Sequence, residues 1–248
     1  MVVEEFLTGP EVSVLSFTDG QTVVPMVSSM DHKRALDGDE GLNTGGMGTI
    51  APNPYYTPEI AQVCMRTIFL PTIEAMRSEG CPFQGCLYFG LMLTPDGPKV
   101  IEYNARFGDP ETQVVLPLLE GDLLEIMQAT TNGTLAGVPV KWKDAYAACV
   151  VLASGGYPQT YERGKRITGL VDGQLPGGEA TVFHAGTRLE GGELVTAGGR
   201  VLGVTAVAET LLAAVKDAYA AADHIHFEGM HKRSDIGARA LHAAQGGN

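Results

Sequence analysis

After the strand-like run Val100-Ile101-Glu102-Tyr103-Asn104, the chain continues Arg106-Phe107-Gly108-Asp109-Pro110-Glu111-Thr112-Gln113. Side chains alternate faces along a strand, so Glu102 and Asn104, two apart, project to the same side. A carboxylate and an amide oxygen side by side are hard donors suited to Mg²⁺ or Mn²⁺ carrying a nucleotide. Arg106 adds a cation that can fork onto a phosphate or a carboxylate. Gly108-Asp109-Pro110 is a turn that ends the strand and can open a helix at Pro110. The same residues also suit a polar strand end followed by a capped helix.

A strand ending in ligands needs a sheet around it, and the flanking pattern supplies one. Residues 2–7 and 11–18 read as strands joined at Thr8-Gly9-Pro10, and Asp19-Gly20 turns into a further strand over 22–27. Residues 85–93 and 99–104 form a hairpin around Thr94-Pro95-Asp96-Gly97. Thr57-Pro58-Glu59 opens a helix that runs to about Gly80, with Pro71 expected to kink or split it. Residues 110–119 and 122–130 read as helical. Between Ser28 and Pro54 no periodicity is evident, and so long a loop is usually functional or disordered.

The Gly- and Pro-containing stretch 132–143 marks a domain boundary. Beyond it come a strand over 146–153, a strand-rich stretch from about 165 to 207 with bends at Gly191-Gly192 and 196–199, and an alanine-rich helix over 208–222.

Composition narrows the class. The formal net charge of −12 argues against a nucleic-acid surface, which needs clustered Lys and Arg. No apolar run is long enough to span a membrane, and the N-terminus has no basic region or apolar signal core. Cys64, Cys81, Cys86 and Cys149 form no C-x-x-C pair, so buried thiols in a reducing cytoplasm are expected. Asn43-Thr44-Gly45-Gly46-Met47-Gly48 can aim backbone N–H groups at an anion, but it is neither a Walker A loop nor a dinucleotide fingerprint. His224 and His226 would share a face on a strand. With no third ligand evident, structural or surface histidines are the better reading.

At these residues the chain resembles a known family. Arg106–Gln113 is similar to the signature of the phosphoribosylamine–glycine ligases, ATP-grasp enzymes of purine synthesis. Further stretches match in the same order: Glu4-Glu5-Phe6-Leu7-x-Gly9-x-Glu11, Asp31-His32-Lys33-Arg34 with Asn43–Gly48, Ala153–Pro158, Phe183–Thr187 and Asp235-Ile236-Gly237.

The resemblance implies an α+β chain, with the C-terminal part of an ATP-grasp domain over 1–131, a linker over 132–143 and a small strand-rich domain over 144–244. It implies that ATP, glycine and 5-phosphoribosylamine are substrates, joined through a glycyl phosphate. Adenine would lie against Glu4–Glu11, with backbone near Glu5 and Leu7 reading the base and Glu11 taking the ribose hydroxyls. Glu102 and Asn104 would hold Mg²⁺ or Mn²⁺ between ATP phosphates. Arg106 would neutralise the acyl phosphate, and Asp109 would either receive the glycine ammonium or cap the helix at Pro110. Lys232–Asp235 would approach the site from the side.

Met1 falls where the family is already in mid-domain. The expectation is therefore an incomplete ATP-grasp fold that lacks an N-terminal portion and is weakly active or inactive alone. Another ATP-grasp carboxylate–amine ligase and a non-catalytic nucleotide-binding fragment are the competing readings.

Overall fold

The computed structural model describes residues 3–178 and 180–244. The chain divides into two compact units, and both are discontinuous. The first takes residues up to Met30, then Pro52–Gly108 and Leu119–Lys143. The second takes Asp31–Ala51, Asp109–Leu118 and the chain from Asp144 onward.

The first unit is built on a four-stranded antiparallel sheet in the order Val23–Pro25, Glu11–Asp19, Gln84–Thr94, Gly97–Asn104. Val12 and Val14 alternate with Leu15 and Phe17 along the central strand, and both sets are buried. Such a strand is covered on both faces. On one face Val12, Val14, Leu87, Phe89 and Leu91 form a core with Cys64, Ile68, Phe69 and Ile73 of the helical segment.

That segment starts where the sequence places it, with Thr57 accepting from the Ile60 N–H. It runs as Pro58–Cys64, a π turn at Met65–Phe69 and Leu70–Ser78. Pro71 has no N–H to donate back into the preceding turn, and the widened turn lies just before it. A second helix, Leu123–Asn132, packs on Glu11–Asp19 and Gln84–Thr94. Asp122 caps it by accepting from the Leu124 and Glu125 N–H groups, and Gly133 ends it at φ 72°. The connection beyond contains a short 3₁₀ turn, Leu135–Gly137, and a strand, Lys141–Trp142, that pairs with Leu119–Glu120.

In the second unit, Tyr146–Ser154 is the spine of a largely antiparallel sheet. It pairs with Arg200–Ala208 on one side and Gly48–Ala51 on the other; Thr181–His184 extends the first side and Met230–His231 adds to the spine's end. The capped helix Leu211–Ala222 lies against Tyr146–Ser154 and Arg200–Ala208. Thr187–Glu190 and Glu193–Thr196 form the hairpin expected around Gly191-Gly192.

Several local expectations are corrected. Residues 3–8 enter no strand; Val2 lies outside the described residues. The stretch read as loop carries the strands Met30–Asp31, Arg34–Leu36, Glu40–Asn43 and Gly48–Ala51, each too short to show a period. The helix expected over 110–119 is only Thr112–Val115, followed by a 3₁₀ turn, Leu116–Leu118. Cys64, Cys86 and Cys149 are buried free thiols as expected, but Cys81 is exposed. Among the described residues no helix is long and apolar enough to cross a membrane.

Candidate functional site

The first unit carries the residues expected to meet a nucleotide. Glu5, Phe6, Leu7, Glu11, Met92 and Lys99 help line a pocket of about 300 Å³, with Glu4 also on its wall. Lys99 Nζ binds both oxygens of Glu5, at 2.7 and 2.9 Å. Gly9 sits at φ +148°, and a Cβ there would stand 2.0 Å from the Leu93 carbonyl oxygen, so only glycine lets the chain cross that strand. Glu4, Glu5 and Glu11 are exposed, and Leu7 is half-buried.

Glu102 and Asn104 are brought together as the alternation demands: Asn104 Nδ2 donates to Glu102 Oε1 at 3.1 Å. The strand pairing slips between Gly90 and Leu91, but Glu102, Tyr103 and Asn104 stay in register with Gly90, Phe89 and Tyr88. The residue opposite Glu102 is therefore a glycine, and a Cβ at Gly90 would press the Glu102 Cγ at 3.0 Å. The donor pair is exposed to half-buried, and the amide can turn its oxygen outward. These residues fit a divalent cation held by two protein oxygens, with phosphate and water completing its shell. Among the described residues no cluster of three His, Cys, Asp or Glu could hold a metal without such help.

Beyond the strand, Phe107 stacks edge-on to Phe17, ring centroids 6.2 Å apart. That anchor leaves Arg106 exposed, with Nη1 donating to the Phe107 carbonyl at 2.9 Å.

Asp109 does not cap a helix. Its Oδ1 accepts from Gln113 Nε2 at 3.1 Å and lies 3.2 Å from Arg200 Nη1, while Glu111, with no side-chain cap bond, precedes the helix. Arg200 Nη1 also donates to the backbone carbonyls of Asp109 at 2.8 Å and Gly45 at 2.7 Å. Gly45 N–H donates in turn to the Tyr157 hydroxyl at 3.0 Å. Gly46, at φ +111°, is pinched: a Cβ there would stand 2.5 Å from Pro110 Cδ and 2.6 Å from Asp31 Oδ1.

Behind this turn lies a buried polar layer in the same unit. Asp31 Oδ1 is buried without a hydrogen-bond partner, and burial, then the charge of buried Glu111, raises the Asp31 carboxyl well above its usual range. His32 is buried, with Nδ1 3.1 Å from the Gly48 carbonyl oxygen and Nε2 accepting from the Gly237 N–H at 3.1 Å. Burial, then the nearby Arg233 guanidinium, holds its ring down to about 4.

A depressed histidine favours the fold while neutral, and that benefit is lost as pH falls from about 6.5 toward 4. Over that window Asp31 acts oppositely, since a raised carboxyl loses stability as pH rises. The effect of His32 is therefore best read as a difference. In urea unfolding, wild type minus His32→Gln should fall by roughly 3 kcal/mol between pH 7 and 4. A constant difference would show that the ring is not held neutral.

Of Lys232–Asp235, Arg233 and Asp235 belong to this layer, Ser234 is exposed, and Lys232 pairs instead with Asp223. Arg233 is 1% exposed and bridges Asp39 and Asp235, and Ser234 bonds Asp37. His224 and His226 lie in a turn and an isolated bridge rather than on a strand. Sequence reading did not single out Arg200, whose partners are mostly backbone carbonyls. Its only local signal is that it follows the Gly198-Gly199 turn directly.

Known proteins match this chain along both units. Residues 1–112 match the phosphoribosylglycinamide synthetase ATP-grasp (A) domain, and residues 147–239 match the C domain of the same synthetase. A phosphoribosylamine–glycine ligase of Synechocystis is 48% identical over 97% of the chain and 58% of its own length. The trifunctional purine biosynthetic protein adenosine-3 of Gallus gallus is 52% identical over 97% of the chain but 24% of its own length. The crystal structure of phosphoribosylamine–glycine ligase from Thermotoga maritima superposes with a TM-score of 0.84 at 39% identity, over 94% of this chain and 57% of that one. A biotin carboxylase of Campylobacter jejuni, at 14% identity and a TM-score of 0.66, shares the fold. The chain thus spans well under two thirds of these relatives, and its fold is the α+β arrangement of ATP-grasp and C domains. It belongs to the phosphoribosylglycinamide synthetase family.

Proposed function

We propose that this chain takes part in the ATP-dependent joining of glycine to 5-phosphoribosylamine through a glycyl phosphate, a step of purine biosynthesis. The observation that carries this reading is the Glu102–Asn104 donor pair opposite Gly90, in a chain matching both family domains. Residues 1–131 are read as the ATP-grasp portion and 144–244 as the C-terminal domain, joined through 132–143. The four free thiols support a cytoplasmic setting.

Adenine is assigned to the pocket over Glu4, Glu5 and Leu7, and the ribose hydroxyls to Glu11, whose carboxylate suits paired hydroxyl donors. Glu102 and Asn104 would hold Mg²⁺ or Mn²⁺, which when bound offsets phosphate charge. Arg106, exposed and next to the Phe107 anchor, would neutralise the acyl phosphate. Asp109 presents a half-exposed carboxylate to the glycine ammonium. Phosphorylation gives the glycine carboxylate a leaving group, which the amine then displaces. The protein's part is positioning and charge compensation, with no side-chain nucleophile.

The test is ADP release by the purified chain with Mg²⁺, ATP, glycine and freshly generated phosphoribosylamine. Turnover dependent on both glycine and the amine supports the ligase. A second reading, nucleotide binding without catalysis, rests on the pocket lined by Glu4, Glu5, Leu7 and Glu11. Glycine-independent nucleotide binding with no turnover would select it. Under either reading, Glu102→Gln with Asn104→Ala should weaken Mg²⁺-dependent nucleotide binding by about 10–100-fold in calorimetry. Unchanged binding would remove the pair from the site.

A further inference from the structure

One guanidinium nitrogen ties together two loops that lie far apart in sequence. Arg200 Nη1 donates to Gly45 O at 2.7 Å and Asp109 O at 2.8 Å, approaches Gly46 O at 3.5 Å, and lies 3.2 Å from Asp109 Oδ1. An Nη1 has two N–H donors, so the two short carbonyl bonds saturate it and the carboxylate contact is mainly electrostatic. Gly45 cannot drift away on its other side, because its N–H is held by the Tyr157 hydroxyl. Gly46 cannot either, being wedged against Pro110 and Asp31. The contacts of Asp109 with Arg200 and Gln113 all fall on Oδ1 and on the backbone, so neither residue occupies Oδ2. The Arg200 side chain is largely covered, whereas that of Asp109 is half exposed.

We propose that Arg200 is a positioning residue for the amino end of glycine: it fixes the Asp109 carboxylate and the Gly45-Gly46 turn as one surface, with Asp109 Oδ2 receiving the ammonium. This rests on the ligase reading. Because the clasp works through a single nitrogen, an ammonium on a slightly shorter stem can replace much of it, and a neutral side chain cannot.

The experiment compares Arg200→Met, Arg200→Lys and Asp109→Asn with the wild-type chain, using glycine and ATP kinetics and hydrogen–deuterium exchange over residues 43–48. Arg200→Met should raise the glycine KM about tenfold, equivalent to one charge-assisted contact, while leaving the ATP KM unchanged and speeding exchange in the turn. Arg200→Lys should recover the glycine KM to within about threefold of wild type. Asp109→Asn should raise the glycine KM while the turn stays protected, since the backbone clasp survives. An Arg200→Met protein with wild-type glycine KM and exchange overturns the inference and leaves the ligase reading standing. Equal rises in the glycine and ATP KM would mark a merely structural role and also overturn it. A folded wild-type chain that neither turns over nor binds glycine overturns both.

Discussion

Arg233→Met is expected to lower the stability of the protein by about 3–5 kcal/mol, the usual cost of removing one partner from a buried ion network. Arg233 is 1% exposed. Its Nε and Nη2 bind both oxygens of Asp235, at 2.7 and 2.8 Å, and its Nη1 reaches Asp39 Oδ1 at 2.9 Å and the Arg34 carbonyl at 3.1 Å. Without the guanidinium, two part-buried carboxylates face each other and a carbonyl loses its donor. The pH dependence gives a second signature. Burial alone would raise the Asp235 carboxyl, but Arg233 and the Gly38 N–H outweigh it and hold the group at about 2. A depressed carboxyl contributes stability above its unfolded value near 4, and that contribution is lost as pH falls toward 2. Urea unfolding should show a wide gap between wild type and Arg233→Met at pH 7 and a narrower one at pH 3. A gap under 1 kcal/mol at pH 7 would mean the network is solvated and unimportant.

Gly46→Ala should cost about 2–5 kcal/mol, combining a strained positive φ with overpacking against Pro110 and Asp31. Gly38→Ala is the control: Gly38 is also at positive φ (+70°), but a Cβ there meets nothing within 4 Å. Only the backbone term, about 1–2 kcal/mol, should appear at Gly38. Thermal denaturation of the two variants separates the terms, and equal shifts would show that the close approach at Gly46 is not real. Glycine binding should also suffer in Gly46→Ala if the turn contributes to the substrate surface.

How much of this was legible in the sequence depended on whether the cause was local. Thr57 and Asp122 cap helices because a cap is satisfied within three residues; the cap at Thr57 was read, and at Asp122 only the helix start. The Glu102–Asn104 pair follows from strand alternation, and it survived the slip at Gly90 because both residues lie on the same side of it. Strand Gly48–Ala51 was not readable: its four residues are ordered by pairing with Tyr146–Ser154, and nothing local announces that partner. The strand expected over 2–7 is not formed by residues 3–8, although their composition suits a sheet. Asp109 was open to two readings, a glycine contact or a cap beside Pro110; the cap is not made, and its carboxylate lies 3.2 Å from an arginine 91 residues away. The buried neighbours Asp31 and Glu111 left no trace in composition.

The second unit's divided chain bears on how the protein comes to be folded. Asp39 waits for Arg233, 194 residues later, and His32 for Gly237, 205 residues later. As a chain emerges from the ribosome, the turn carrying Gly45 and Gly46 has been made long before anything exists to hold it. Closing such large loops is entropically slow, so the segment carrying Arg233 and Gly237, rather than the early strands, sets when the polar layer can assemble. Until then the early strands are exposed edges that a chaperone, or another nascent copy, can bind.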